Sequence, residues 1–134
     1  MTKINVLFID DEKKLVENVA PVLEAKGFEV TATTDIAKAI DALASISFDV
    51  VLMDIAMPPS ADMDAKALSY GRKTGIEVVR QLRAIKPDVP IVVLTVIRDR
   101  AILSDMRGVG ISQILIKPEE PERIAEVLKR TVQK

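Results

Sequence analysis

Five short apolar runs alternate with amphipathic stretches along this 134-residue chain, and this alternation restricts the fold more than any other feature of the sequence. Four runs are continuous and rich in Val, Ile and Leu, as is typical of strands buried on both faces. The second run alternates Val30 and Ala32 with threonines, which is typical of an edge strand. The predicted strands cover residues 4–9, 28–34, 49–53, 90–95 and 112–117.

The stretches between the strands repeat apolar residues at helical spacing. We predict a first helix that is kinked but not broken at Pro21, and a second helix capped by Thr34 or Asp35. A short fourth helix covers about 98–107, and the fifth has Pro121 in its first turn. Because crossovers between parallel strands are right-handed, this (βα)5 order predicts an α/β, flavodoxin-like, doubly wound parallel sheet with strand order 2-1-3-4-5.

The composition is that of a globular protein, with 49% apolar residues, 29% charged residues and a net charge of -1, and we expect a single domain over residues 1–134. The chain has no cysteine and no histidine, which excludes disulfides, thiol catalysis and histidine as a general base. Any bound metal would therefore be an oxygen-ligated cation. Interspersed charges, short apolar runs and no signal-peptide pattern indicate a cytoplasmic protein that binds neither nucleic acid nor membrane directly.

Polar side chains follow four of the predicted strands. Asp10 and Asp11 come after the first strand, Asp54 after the third, Thr95 ends the fourth, and Lys117 ends the fifth. The carboxyl ends of parallel strands share one edge of the sheet, where ligands bind at the switch point between the first and third strands. We therefore expect these five side chains to converge.

Taken singly, each of these residues has an ordinary structural interpretation. Asp10 or Asp11 is suited to cap the first helix, and Asp54 is suited to open a turn. Thr95 is typical of a strand end, and Lys117 is typical of a solvated surface. Convergence favours a functional site, because three neighbouring carboxylates repel one another unless a cation neutralises them.

The residue types indicate the chemistry of such a site. Carboxylates without histidine or cysteine favour Mg²⁺, which binds a few carboxylates together with phosphate oxygens. An aspartate beside Mg²⁺ is suited to attack a phosphoryl group and form an acyl phosphate. Lys117 would then offset charge on the incoming oxygens, and the Thr95 hydroxyl would bind one of them. The sequence therefore predicts phosphoryl transfer to an aspartate.

The segments "FIDDE", "LMDIAMP", "VVLT" and "LIKP" stand in this order at these strand ends. Together they resemble the receiver domain of two-component response regulators, over essentially the whole chain. The resemblance implies that Asp54 is the phosphoacceptor, charged from a phosphohistidine of a sensor histidine kinase or phosphotransfer protein. It also implies a switched surface around the fourth and fifth helices that binds a downstream effector protein or domain.

The remaining roles implied by the resemblance concern the ion and its surroundings. Thr95 would be the switch hydroxyl, and Lys117 the lysine that contacts the phosphoryl group. The peptide bond between Lys117 and Pro118 is a candidate for the cis form. The implied Mg²⁺ ligands are the carboxylates of Asp10, Asp11 and Asp54 and the backbone carbonyl of Ala56.

The loop after the third strand departs from the family. A glycine that opens the third helix follows the phosphoacceptor by eight positions in the family, whereas Gly75 follows Asp54 by twenty-one, which leaves about thirteen additional residues. We predict an extended loop at about 59–74, with a short helix from Asp62 to Tyr70. This loop is either a mobile surface segment, since long insertions cost little, or a lid or partner-docking element.

Two further departures concern the edge of the site. The family usually has an aromatic residue three positions before the lysine, and Ile114 stands there, so we expect any signal to pass through Thr95 and the fourth helix. Val96 and Ile97 follow Thr95, and Ala56 lies two positions beyond Asp54. Because none of these three side chains can orient a water molecule, we predict slow autodephosphorylation.

Three other functions are compatible with an α/β sheet. A pseudo-receiver would use the same fold as an interaction module without phosphotransfer. A phosphatase of the haloacid-dehalogenase type needs a second aspartate two residues beyond its nucleophile, where this chain has Ala56. Dinucleotide binding needs a glycine-rich turn that does not follow the first strand. We therefore expect a signalling phosphoacceptor rather than an enzyme.

Overall fold

The computed structural model describes residues 2–57 and 74–133, which contain five strands alternating with five helices. The strands are β1 (Ile4–Ile9), β2 (Phe28–Thr33), β3 (Val50–Met53), β4 (Ile91–Thr95) and β5 (Gln113–Ile116). The helices are α1 (Lys13–Ala25), α2 (Ile36–Ser45), α3 (Thr74–Ile85), α4 (Arg100–Gly108) and α5 (Pro121–Val132). Each strand lies within one residue of its predicted bounds. Helix α4 begins later than predicted because Asp99 caps it, accepting the N–H groups of Ala101 and Ile102.

All strands are parallel and form one sheet in the order β2-β1-β3-β4-β5, so the predicted topology is confirmed. Backbone hydrogen bonds continue past the ends of the strands at the site edge. The N–H of Asp10 donates to the carbonyl of Thr33 at 3.2 Å, and the N–H of Asp54 donates to the carbonyl of Ile9 at 3.1 Å. The first residue after β1 and the first residue after β3 are thereby fixed side by side.

Alternate residues of the sheet contribute to two separate apolar clusters, one on each face. Helices α1 and α5 cover the face formed by residues such as Phe8 and Leu52, while α2, α3 and α4 cover the face that includes Ile9 and Met53. Pro21 lies inside α1, which is continuous as predicted. The two layers of helices leave the carboxyl edge of the sheet as the place where polar side chains meet.

Strand β5 differs from the expectation of burial on both faces. It lies at the edge of the sheet opposite β2, where Gln113 is exposed and, of its four residues, only Leu115 is buried. Its continuous apolar sequence therefore does not indicate a central position. Short apolar runs cannot distinguish an edge strand that is covered by a helix from a central one.

Gly75 connects α3 to the end of β3. Its N–H donates to the carbonyl of Ile55 at 2.8 Å, and a Cβ added to Gly75 would stand 2.2 Å from the Ile55 Cα. This contact requires glycine for close packing. The predicted extended loop and its helix from Asp62 to Tyr70 lie outside the described residues.

Replacing Gly75 with alanine is expected to lower the free energy of unfolding by about 1–3 kcal/mol, because the methyl group must displace backbone. Gly108→Ala is the matched control, since its Cβ would meet nothing within 4 Å. The Gly108→Ala substitution, which lies in a helix, should leave the free energy of unfolding unchanged or raise it by up to about 1 kcal/mol. Urea denaturation of both variants tests the contact, and equal stabilities would contradict it.

Among the residues that the structure describes, no helix is both long enough and apolar enough to span a membrane.

Candidate functional site

Asp10 and Asp54 lie next to each other at the carboxyl edge, and both are buried. Each carboxylate is held by its own loop through one oxygen. The Oδ1 of Asp10 accepts the N–H of Glu12 at 2.9 Å, and the Oδ1 of Asp54 accepts the N–H of Ala56 at 3.0 Å. Asp54 thus does make the local turn expected of an aspartate, but neither Asp10 nor Asp11 is the N-cap of α1, which is Glu12.

Lys117 is buried between these carboxylates, so its interpretation as a solvated surface residue is wrong. Its ammonium donates to the Oδ2 of Asp54 at 3.0 Å, the Oδ2 of Asp10 at 3.1 Å and the Oε2 of Glu12 at 3.3 Å. An ammonium has three N–H donors, so each one has a carboxylate acceptor. The peptide bond that follows, to Pro118, is cis as predicted.

Burial and the neighbouring charges shift the pKa values of Asp10 and Lys117. Burial raises the pKa of Asp10 above its ordinary value of 3.8, and this effect outweighs the lowering by its hydrogen bond from the backbone of Glu12 and by the charge of Lys117. Burial acts to lower the pKa of Lys117, but the charges of Asp54 and Asp10 outweigh it, so that the pKa lies above 10.5. The raised pKa of Lys117 therefore contributes stability that is present below pH 10.5 and is lost as the pH rises through the folded-state pKa, whereas the raised pKa of Asp10 subtracts stability as the pH rises from 3.8.

Asp11 completes an acidic group whose members suit a hard cation. One oxygen from each of Asp10, Asp11 and Asp54 lies within 4.8 Å of the others, and the Asp11 side chain is exposed. Opposite ligands of an octahedral Mg²⁺ ion stand about 4.2 Å apart, so the three carboxylates lie close to the spacing that one ion requires. An all-oxygen donor set fits Mg²⁺, and two buried carboxylates with one lysine leave negative charge for it to neutralise.

Thr95 is buried at the end of β4, next to Lys117, which follows the adjoining strand β5. The N–H of Lys117 donates to the Thr95 carbonyl at 2.7 Å, and the Thr95 Oγ1 accepts the N–H of Ile97 at 3.2 Å. Within residues 2–57 and 74–133, no hydrogen bond joins the Thr95 hydroxyl to the carboxylates. The structure therefore places this hydroxyl at the edge of the site, bonded to the segment that leads into α4.

Glu12 is the residue at the site that the sequence interpretation missed. It follows the aspartate pair in "FIDDE", but its spacing along the start of α1 gives no indication of which way its carboxylate points. Only the return of β5 beside β4 brings Lys117 within reach of it. The Glu12 side chain is 58% exposed, unlike the two buried carboxylates that share this lysine.

Four of the described residues at the edge of the site carry apolar side chains. Ala56 is half-buried, Ile97 is buried, and Val96 is 60% exposed. Ile114 is half-buried and packs against the cluster under α4. The N–H of Ala56 donates to the Oδ1 of Asp54, and this hydrogen bond places the backbone of Ala56 at the site.

The sequence model of the response regulator receiver domain matches residues 6–129. The chain belongs to this family. Among curated relatives, this receiver domain is 27% identical over 131 residues to the transcriptional regulatory protein FixJ of Bradyrhizobium diazoefficiens, covering 98% of the chain and 58% of FixJ. It is 34% identical over 92 residues to the response regulator MprA of Mycolicibacterium vanbaalenii, covering 69% of the chain and 34% of MprA. The chain thus spans between about a third and three fifths of these relatives.

Solved structures share the fold of the receiver domain. The receiver domain of the sensor histidine kinase PA1611 from Pseudomonas aeruginosa PAO1, with a magnesium ion in its active site cleft, has a TM-score of 0.80 and 21% identity, covering 99% of this chain and 100% of that one. A Burkholderia pseudomallei response regulator with a phosphorylated aspartic acid and a calcium ion has a TM-score of 0.76 and 23% identity, covering 98% and 69%.

Proposed function

We propose that this receiver domain accepts a phosphoryl group on Asp54 in a Mg²⁺-dependent reaction and thereby switches a partner-binding surface. The observation that carries the proposal is the buried Lys117 ammonium, which bonds both Asp54 and Asp10 at the switch point of the sheet. A lysine fixed beside an aspartate in this way is suited to neutralise a phosphoryl group attached to that aspartate. The phosphorylated aspartate and the magnesium ion in the two structural neighbours support the same chemistry.

In the proposed reaction, the Asp54 carboxylate attacks the phosphorus of a phosphohistidine on a sensor histidine kinase or phosphotransfer protein. An O–P bond forms as the P–N bond breaks, and the imidazole leaves with the electron pair. The carboxylates of Asp10, Asp11 and Asp54 and the carbonyl of Ala56 would hold Mg²⁺. When bound, this ion offsets the negative charge of the carboxylates and the phosphoryl oxygens. Lys117 and the Thr95 hydroxyl would contact the phosphoryl oxygens.

The output would follow from the hydrogen bond that Thr95 makes at rest. Its hydroxyl accepts the Ile97 N–H, and a rotation toward a phosphoryl oxygen would break this bond. Ile97 is buried and lies two positions before Asp99, the cap of α4, so a change at Ile97 would pass directly into that helix. We therefore place the effector-binding surface around α4 and α5.

The test is the intact mass of the protein after incubation with a small phosphodonor and Mg²⁺. The wild type should gain one phosphoryl group, and Asp54→Asn should gain none. Omission of Mg²⁺ should prevent the gain in the wild type. A wild type that takes no phosphoryl group and shows no thermal shift with Mg²⁺ would instead support a pseudo-receiver, which no observation on the described residues favours.

A further inference from the structure

Resting on the proposed function, we propose that Glu12 is a positioning residue that occupies the site of a phosphoryl oxygen on Lys117. Its carboxylate holds the third N–H donor of the ammonium until a phosphoryl group displaces it. Glu12 therefore slows the entry of the phosphoryl group.

The count of hydrogen bonds on Lys117 leads to this inference. The ammonium can donate three hydrogen bonds, and three carboxylates already accept them, at 3.0, 3.1 and 3.3 Å. A phosphoryl oxygen can accept a hydrogen bond from Lys117 only if one of the three carboxylates is released. The choice among them decides which residue competes with the phosphoryl group.

Burial and distance identify the residue that is released. The side chains of Asp10 and Asp54 are 0% and 5% exposed, and each is also fixed to its own loop through a second oxygen. Glu12 is 58% exposed and makes the longest of the three contacts. Water can solvate its carboxylate after release, whereas the buried carboxylate of Asp10, and that of Asp54 until its O–P bond forms, would be left without compensation. Release of Glu12 is therefore the least costly.

The contact of Glu12 with Lys117 can be tested separately from the charge of Glu12, because the side chain only just reaches the lysine. Its backbone is fixed because its N–H donates to Asp10. An aspartate at this position would keep the charge at the mouth of the site, but its carboxylate is one methylene group shorter and would fall outside hydrogen-bonding distance of Lys117. A glutamine would keep the length and remove the charge. The two substitutions thus give different results for a direct contact and for a general electrostatic effect.

The test measures initial phosphorylation rates by intact mass in saturating Mg²⁺. Glu12→Gln and Glu12→Asp should both increase the rate about two- to fivefold, the range that corresponds to an exposed ion pair. Thermal stability should not change, because the pair is exposed on one side. Glu17→Gln, which removes an exposed charge elsewhere on α1, is the control and should match the wild type.

Two results would overturn the role of Glu12 while leaving the phosphoacceptor intact. An increase with glutamine but not with aspartate would show an effect of charge alone, and no increase with either would show that Glu12 does not compete for Lys117. A wild type that takes no phosphoryl group at all would instead refute the proposed function, and the role of Glu12 with it.

Discussion

Replacing Lys117 with methionine is expected to lower the free energy of unfolding by about 3–5 kcal/mol at neutral pH without divalent cations, the cost of removing one partner from a buried ion pair. The substitution removes the hydrogen bonds that the Oδ2 atoms of Asp10 and Asp54 accept from the Lys117 ammonium. Neither carboxylate is exposed enough for water to replace it. Urea denaturation of the variant and the wild type gives the difference directly.

The pH and Mg²⁺ dependence of this loss identifies its cause. Burial already raises the pKa of Asp10, and without Lys117 that pKa rises further, so the folded variant takes up a proton at higher pH than the wild type. Because the folded state then binds more protons than the unfolded chain, the deficit should shrink as the pH falls toward 3.8. Saturating Mg²⁺ should also restore part of the stability at neutral pH.

Lys38→Met is the matched control for this variant. Lys38 is exposed on α2, and its side chain forms no ion pair within the described part of the chain. Its removal should change stability by less than about 0.5 kcal/mol. A Lys117→Met protein as stable as Lys38→Met would contradict the buried ion pair.

Replacing Ala56 with asparagine is expected to accelerate loss of the phosphoryl group from Asp54 about tenfold, the effect of one hydrogen bond of about 1.4 kcal/mol made in the transition state. The wild type should keep the group for a long time, because the side chains of Ala56, Val96 and Ile97 offer no hydrogen bond to an attacking water. An asparagine at position 56, two residues beyond Asp54, can orient that water. A phosphodonor-free chase followed by intact mass measures the rate.

Ala56→Val is the control for this variant, because it adds volume without a polar group. It should lose the phosphoryl group no faster than the wild type. A wild type that already loses it as fast as Ala56→Asn would show that another group, such as the carboxylate of Glu12 at the mouth of the site, supplies the missing contact.

Most of the fold could be predicted because its signals are local. Apolar runs between helical patterns locate β1 and β3, and the handedness of crossovers then orders the sheet. Contacts made by long side chains could not be predicted in this way. Arg83 of α3 donates to the carbonyls of Pro87, Val89 and Gly110 and so joins two loops, but no spacing in the sequence indicates it.

The site shows the same division between position and contact. Asp10, Asp54 and Lys117 could be brought together from the sequence because each follows a parallel strand, and strand ends share an edge. The contact of Glu12 with Lys117 depends on the direction of a flexible side chain. The hydrogen bond from Ile97 to Thr95 depends on the course of a loop. Neither follows from a repeating pattern.

In the proposed reaction, acidic side chains from two loops hold one Mg²⁺ ion, and the carboxylate of Asp54 accepts the phosphoryl group. The most direct test is to locate the phosphorylated residue in the chain. Borohydride converts a phosphorylated aspartate to homoserine, which peptide mass mapping locates. After treatment with a phosphodonor, homoserine should appear at position 54 only when Mg²⁺ was present. Homoserine at another aspartate, or equal labelling without Mg²⁺, would contradict the account.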